Sequence, residues 1–146
     1  MSLIRNKKAT FNYEIKESLE AGIELLGLEA KSIRAGRGNL EGSYIIVRGA
    51  EAFLIGALIS PYQQANTPDS YDERRNRRVL LHKKEIAKLS SLTKGETIIP
   101  ISLYNKGRNI KLEIAIVRGK KKHDKRQAIS KRESAREISR ELKGRR

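Results

Sequence analysis

The sequence contains no cysteine and no tryptophan, and it has only three prolines. Without cysteine the chain has no disulfide framework and no thiolate that could bind a metal or attack a substrate. No apolar run approaches the roughly 20 residues of a membrane-spanning helix. Residues 1–8 also lack the apolar centre of a secretory signal peptide. We therefore expect a cytoplasmic protein that does not bind a membrane.

Catalytic and metal-binding residues are also scarce. The two histidines, His82 and His123, are separated by 40 residues and have no second pair of ligands near them. We expect no metal site and no cofactor from this spacing. No serine lies in the strand–turn–helix signature of a catalytic nucleophile. An enzyme is therefore the weaker hypothesis, and a binding protein is favoured.

Positive charge is what the chain has in excess. It carries 32 Lys and Arg against 17 Asp and Glu, a net charge of +15. Residues 118–146 hold 13 of these cations against 4 acidic residues. This balance favours a polyanionic partner. An anionic membrane surface is the second candidate after nucleic acid, and we expect nucleic acid and no membrane partner. Aromatic residues make up only 5% of the chain, so we expect recognition of a folded RNA by its shape and phosphates rather than by many stacked bases.

The pattern of apolar residues divides the chain into a body and a tail. A length of 146 residues fits one domain with an extension. We predict a domain over 1–118 and a basic C-terminal tail over 119–146. The apolar stripe of residues 124–143 is too narrow to pack on a core. The tail is therefore predicted to be disordered when free and to become helical on its partner.

In the first half of the body, apolar side chains occupy mostly odd positions from Phe11 to Leu25. This period of two predicts a long or bulged strand, and a helix over 16–26 is the alternative. Residues 28–35 suit a short helix that Gly36 ends in a left-handed conformation. Strands are predicted over 44–47 and 52–59.

Residues 60–78 form a long connection that ends in the cation cluster Arg74–Arg78. Connections of this length are usually functional or disordered, and the cluster favours phosphate binding. A helix is predicted over 82–92. A strand over 97–104 contains Pro100, which indicates a sheet edge or a bulge. A hairpin loop over 105–109 leads to the regularly alternating strand 110–116.

These elements predict a mainly β fold with two or three short helices and antiparallel pairing throughout. A β-barrel of the oligonucleotide-binding type would bury one face of each strand and leave few open edges. A two-sheet sandwich is the alternative. Lys31 and Arg34 share one face of the predicted helix, because they are three residues apart, and either contact RNA or only face solvent.

Several segments together resemble the small protein B family, the SsrA-binding proteins that bind tmRNA in bacterial trans-translation. The resemblance covers nearly the whole chain. The segments that carry it are Asn6–Ala9, Glu20–Ile23, Gly27–Gly36, Arg78–Leu81 and Gly119–Arg126.

The resemblance implies an RNA-binding protein without catalytic activity. The barrel would bind the tRNA-like domain of tmRNA and deliver it to stalled ribosomes, with elongation factor Tu attached through the tmRNA. The tail would lie in the 16S rRNA decoding centre and the empty mRNA channel. We expect a monomer. A ribosomal-protein-like structural binder of folded RNA is the alternative function.

The resemblance and the charge clusters together nominate two sets of binding residues. The tmRNA-binding set is Arg5, Lys7, Lys8, Glu20, Lys31, Arg34, Asn39, Arg77, Arg78, Leu80 and His82. The ribosome-binding set in the tail is Gly119, Lys120, Lys121, Lys122, His123, Asp124, Lys125, Arg126, Lys131, Arg132 and Arg136.

Overall fold

The structure is a computed structural model that describes residues 2–63, 65 and 67–119. The predicted conformation of the tail beyond Gly119 lies outside these residues. Within them the chain forms nine strands and three helices. Their order is β1 (Ser2–Arg5), α1 (Ala9–Asn12), β2 (Tyr13–Ile23), α2 (Gly27–Arg34), β3 (Gly38–Asn39), β4 (Tyr44–Arg48), β5 (Glu51–Ile55), β6 (Leu58–Ile59), β7 (Arg77–Leu80), α3 (Lys83–Ser90), β8 (Glu96–Lys106) and β9 (Asn109–Gly119).

Six strands close into a ring in the order β8, β4, β5, β7, β2 and β9, and β9 pairs back to β8. Every ladder between the described strands is antiparallel. Strand β4 pairs with β8 through a single bridge between Ile45 and Ile98. Strand β1 pairs with β8 farther along the same strand, at Ser102–Tyr104. The short strands β3 and β6 form a separate pair. The predicted mainly β barrel is therefore confirmed.

The alternation in the first half of the body forms β2, and the helix alternative is wrong. The register of β2 against β9 shifts between Ile15 and Glu17, which is the predicted bulge. After the bulge, Ala21 and Ile23 are buried in the barrel. The strand does not begin at Phe11, however, because residues 9–12 turn into α1.

Strand β9 is buried on both faces, which its simple alternation did not predict. Leu112, Ile114 and Ile116 point into the barrel core. Ala115 and Val117 point outward but pack in a second cluster with Ala9 of α1 and Ile99 of β8. Helix α1 therefore covers the outside of the sheet at this end of the barrel.

Two further predictions concern β8 and the segment 52–59. Pro100 is buried and lies at a register shift in β8, so the bulge is the correct alternative. The predicted strand 52–59 is instead two strands, β5 and β6. Gly56 separates them with a φ of +81°, a conformation that glycine adopts without strain. The chain there changes its pairing partner from β4 to β3.

Helix α2 ends as the sequence predicts. Gly36 has a φ of +76°, and its N–H donates to the Ile33 carbonyl at 2.9 Å. The N–H of Arg37 donates to the Ser32 carbonyl at 2.8 Å. This pair of hydrogen bonds is a Schellman motif, which satisfies the free carbonyls of the last turn.

Helix α2 is attached to the barrel by a buried ion-pair network around Glu29. The side chains of Glu29 and Arg77 are both fully buried, with 2.7 Å between Glu29 Oε2 and Arg77 Nη2. Arg75 Nη2 donates to Glu29 Oε1 at 2.6 Å, and Glu29 also accepts the backbone N–H of Leu26 at 2.7 Å. The network thus joins α2 to β7 and to the end of the 60–78 connection.

The network corrects one member of the predicted RNA-binding set. The guanidinium of Arg77 donates to Glu29 and to the carbonyls of Ala57, Arg75 and Glu73. Because this side chain has no exposed surface, it cannot contact RNA. The prediction that the Arg74–Arg78 cluster binds phosphate is therefore wrong for Arg77. The charge of this residue stabilises the fold instead.

We predict that Glu29→Gln lowers the free energy of unfolding by about 3–5 kcal/mol, since it leaves a buried arginine without its partner. Burial alone would raise the pKa of Glu29, but hydrogen bonds from Arg75, Leu26 and Arg77 outweigh it and the pKa is lowered. The ion pair therefore stabilises the fold above pH 4.5, the ordinary glutamate value, and this stabilisation is lost as the pH falls further.

Urea unfolding between pH 3 and 7 measures both effects. The difference in free energy of unfolding between wild type and Glu29→Gln should become smaller as the pH falls below 4.5. The matched control is Glu24→Gln, because the Glu24 side chain is 55% exposed and lies 3.9 Å from Arg78. Glu24→Gln should lower the free energy of unfolding by less than about 1 kcal/mol. Equal losses for the two variants would contradict the account.

Candidate nucleic-acid interface

The site is built on the outer face of the barrel where β8, β9, β2 and β7 run side by side. Tyr104 lies opposite Lys111, Lys111 opposite Gly22, and Gly22 opposite Leu80. Residues directly opposite one another in antiparallel strands point to the same face of the sheet. The four residues therefore form one row across the four strands.

Gly22 and Leu80 shape the middle of this face. A Cβ atom added to Gly22 would lie only 3.1 Å from the Leu80 Cβ, so the glycine gives the leucine side chain room to lie over β2. Leu80 is 44% exposed. Leu80 is not isolated, because it shares cleft walls with Leu25 and Leu81, and together they form an apolar surface that is accessible to a ligand.

Glu20 lies next to this row and is held by two donors. Lys106 Nζ donates to Glu20 Oε1 at 2.9 Å, and the Tyr104 hydroxyl donates to Glu20 Oε2. The hydrogen bond from Lys106, followed by that from Tyr104, lowers the pKa of Glu20. Burial and the Glu20 carboxylate raise the pKa of Tyr104. Glu20 is therefore an oriented, ionised acceptor that can receive the N–H or O–H groups of a base or ribose.

Two open clefts meet at Leu80 and Lys111. The first has a volume of about 370 Å³ and contains Glu20 and His82 on its walls. The second has a volume of about 410 Å³ and contains Arg34 and Arg108. Arg34 Nη2 donates to the Arg108 carbonyl at 2.9 Å, so α2 is in contact with the β8–β9 turn.

The structure thus brings Glu20, Leu80, His82 and Arg34 of the predicted set together. His82 is exposed at the N-terminus of α3, where its backbone N–H donates to Glu85 Oε1 at 2.9 Å. Lys31 is exposed on the same helix as Arg34 and lies on the wall of a neighbouring cavity.

The other members of the set lie away from the two clefts. Arg5 lies opposite Ser102, Ser102 lies opposite Glu113, and Glu113 lies opposite Glu20. Three strand spacings, roughly 14 Å, therefore separate Arg5 from Glu20. Lys7 and Lys8 are exposed in the turn before α1. Asn39 Oδ1 accepts the N–H of Glu41 at 2.8 Å.

Arg78 is also partly occupied. Its side chain is 45% exposed and its Nε lies 3.2 Å from Glu51 Oε2. It can contact RNA only by sharing its charge with that carboxylate, so it is a weaker candidate than Arg34.

Sequence reasoning missed Tyr104, Lys106, Arg108 and Lys111. On the outward face of a strand, such residues have the same pattern as an ordinary solvated surface. The predicted hairpin loop 105–109 was the available signal, because it carries the cations Lys106 and Arg108 at a turn between two predicted strands. Binding residues are frequent on such turns.

Among residues 2–63, 65 and 67–119, no group of three or more His, Asp or Glu side chains could hold a metal ion. None of the helices in this part of the chain is long and apolar enough to cross a membrane.

The closed antiparallel barrel, together with a cleft on its outer face that is lined by Arg34, Arg108 and Lys111, defines a barrel of the nucleic-acid-binding class. Comparison with known proteins makes the class specific. The chain belongs to the SmpB protein family, whose model matches residues 3–144.

Curated relatives and a solved structure agree with this family. The SsrA-binding protein of Prochlorococcus marinus is 52% identical over 97% of this chain and 87% of its own length. That of Microcystis aeruginosa is 46% identical over 94% of this chain and 91% of its own length. A chain of the solved structure described as "tmRNA-SmpB: a journey to the center of the bacterial ribosome" is 36% identical. The match covers 86% of this chain and 92% of the solved chain, with a TM-score of 0.68.

We predict that Lys106→Met and Tyr104→Phe each raise the pKa of Glu20, with the larger rise for Lys106→Met. Each change removes a donor that favours the ionised carboxylate, and Lys106 is the stronger of the two. An NMR titration of side-chain carboxyl carbons in ¹³C-labelled protein measures the shift.

The control is Lys94→Met, which removes the same charge in the loop before β8, at the other end of that strand from Lys106. It should leave the Glu20 titration unchanged. If Lys94→Met moved the titration as far as Lys106→Met does, net charge rather than the hydrogen bonds would set the pKa.

Proposed function

We propose that this protein binds the tRNA-like domain of tmRNA and delivers it to stalled ribosomes for trans-translation. The observation that carries the proposal is the pair of clefts around Leu80 and Lys111, with Glu20 and Arg34 on their walls. They combine an apolar contact, an oriented acceptor and cations where the sheet meets helix α2. The names of the curated relatives, SsrA-binding proteins, support the same partner.

In this proposal the cleft residues have distinct roles. Lys111, Arg34 and Lys31 neutralise phosphates, because cation–phosphate contacts supply most of the affinity for RNA. Glu20 and His82 hydrogen-bond to bases or riboses, which gives discrimination. Arg5, Lys7, Lys8, Asn39 and Arg78 are peripheral contacts. Arg77 acts only through the fold.

The tail has a separate role that follows from where it begins. Gly119 lies opposite Tyr13, at the end of β9 far from Lys111. Eight strand residues span roughly 26 Å. A tail that leaves at this end can enter the decoding centre and the empty mRNA channel while the clefts hold tmRNA. Its contact residues are those nominated above from Gly119 to Arg136.

The remaining features of the proposal concern the setting of this function. The protein acts as a monomer in the cytoplasm, without a cofactor and without catalysing a reaction. Elongation factor Tu joins the complex through the tmRNA rather than through this chain.

We predict that a 1–119 truncation keeps most of its affinity for the tRNA-like domain but abolishes tagging of stalled peptides. The truncation keeps the whole barrel and both clefts, whereas it removes the segment proposed for the ribosome. Titration of both forms with the tRNA-like domain, with ordinary tRNA as competitor, measures binding. A translation assay on an mRNA without a stop codon measures tagging.

Leu80→Ala in the full chain is the matched control, because it should weaken binding while leaving the tail intact. If the truncation loses most of its binding, or if neither form prefers tmRNA to tRNA, the charge acts non-specifically. That result would favour the alternative of a structural binder of folded RNA.

A further inference from the structure

A third cavity lies beside the two clefts, on the outer side of α2, and the proposed function does not use all of it. It has a volume of about 420 Å³ and is lined by Lys31, Arg34, Ala35 and Tyr62. Arg34 is also on the wall of the cleft that contains Leu80. The cavity therefore continues the surface proposed to bind RNA, and it adds an aromatic ring.

The ring of Tyr62 is held in place by Arg37. The guanidinium carbon of Arg37 lies 5.7 Å from the ring centroid, which is a cation–π distance. Arg37 Nη1 also donates to the Tyr62 carbonyl at 2.9 Å. Tyr62 lines the cavity and Arg37 does not, so the contact with Arg37 leaves part of Tyr62 facing the cavity.

The backbone that carries Tyr62 is attached to α2 as well. Ser32 Oγ donates to the Ser60 carbonyl at 2.6 Å, and Ser32 is fully buried. One residue, Pro61, separates this anchor from Tyr62. The ring is nevertheless 37% exposed, so the fold positions it without burying it. A positioned, exposed ring loses little conformational freedom when a ligand stacks on it.

We propose that this cavity binds one unpaired nucleotide of the RNA. The base of this nucleotide stacks on Tyr62, and the phosphates on either side of the nucleotide lie beside Lys31 and Arg34. The inference rests on the proposed function, because Arg34 joins the cavity to the tmRNA clefts. Stacking tolerates every base, since each has a flat π face. An acidic peptide would satisfy the cations but would leave the ring unused.

The test compares Tyr62→Ala with Tyr62→Phe in the full-length protein, using the tRNA-like domain at four salt concentrations. Tyr62→Ala should weaken binding roughly 5- to 150-fold, the range for loss of one stacked base. Tyr62→Phe should bind as the wild type does, because the ring is kept. The slope of log affinity against log salt should be unchanged in both, whereas Lys31→Met should reduce its magnitude by about 1.

A second arm changes the RNA instead of the protein. Each unpaired nucleotide is replaced in turn by an abasic one. One replacement should weaken wild type and Tyr62→Phe but have no further effect on Tyr62→Ala, as expected for two partners of one contact. If Tyr62→Ala fails to fold, Tyr62→Leu takes its place in this comparison, because leucine keeps an apolar side chain but removes the ring.

The outcomes separate this inference from the proposed function. If wild type prefers the tRNA-like domain but Tyr62→Ala binds equally well, the stacking site is overturned and the function stands. Equal losses for Tyr62→Ala and Tyr62→Phe also overturn it, since they point to the hydroxyl. If wild type shows no preference for tmRNA over tRNA, the proposed function fails first.

Discussion

The buried contact between Glu29 and Arg77 is the interaction on which the functional surface depends. It places two opposite charges where neither has exposed surface, so each is tolerated only while the other is present. Glu29 belongs to α2, whereas Arg77 opens β7, the strand that ends at Leu80. The pair therefore fixes the helix that carries Lys31 and Arg34 against the strand that carries the apolar contact. Arg75 extends the same constraint to the 60–78 connection.

The closed barrel separates the clefts from Gly119 along one pair of strands. The turn between β8 and β9 brings Arg108 and Lys111 to the cleft end. The far end of β9 delivers Gly119, where the tail begins. Strand β9 is paired with β8 on one side and with β2 on the other from Lys111 to Arg118, so the distance between its two ends changes little on binding. We infer that the chain holds RNA at one end and sends its tail from the other at a nearly constant distance.

Local patterns predicted much of this fold, and long-range contacts account for most of what they missed. The alternation in β2 and the glycine cap at Gly36 depend on neighbouring residues, and both are confirmed. The role of Arg77 depends on Glu29, which is 48 residues away in the chain. A cation cluster has the same sequence whether its members face RNA or a buried carboxylate. For the same reason Tyr104 and Lys106 gave no sign that they hold Glu20.

The central claim is that the RNA lies at the cleft end of the barrel and not at the end where α1 packs. Backbone amide hydrogen exchange of the full-length protein, with and without the tRNA-like domain, tests it most directly. We predict slower exchange on binding at 20–24, 80–82 and 107–111, with at most a small change at the peripheral residues 5–8 and little change at 9–13 and 41–43. Slower exchange confined to 9–13 and 41–43 would contradict this prediction, because those segments line a cavity beside Tyr13. Tyr13 lies opposite Gly119, at the other end of β9 from Lys111.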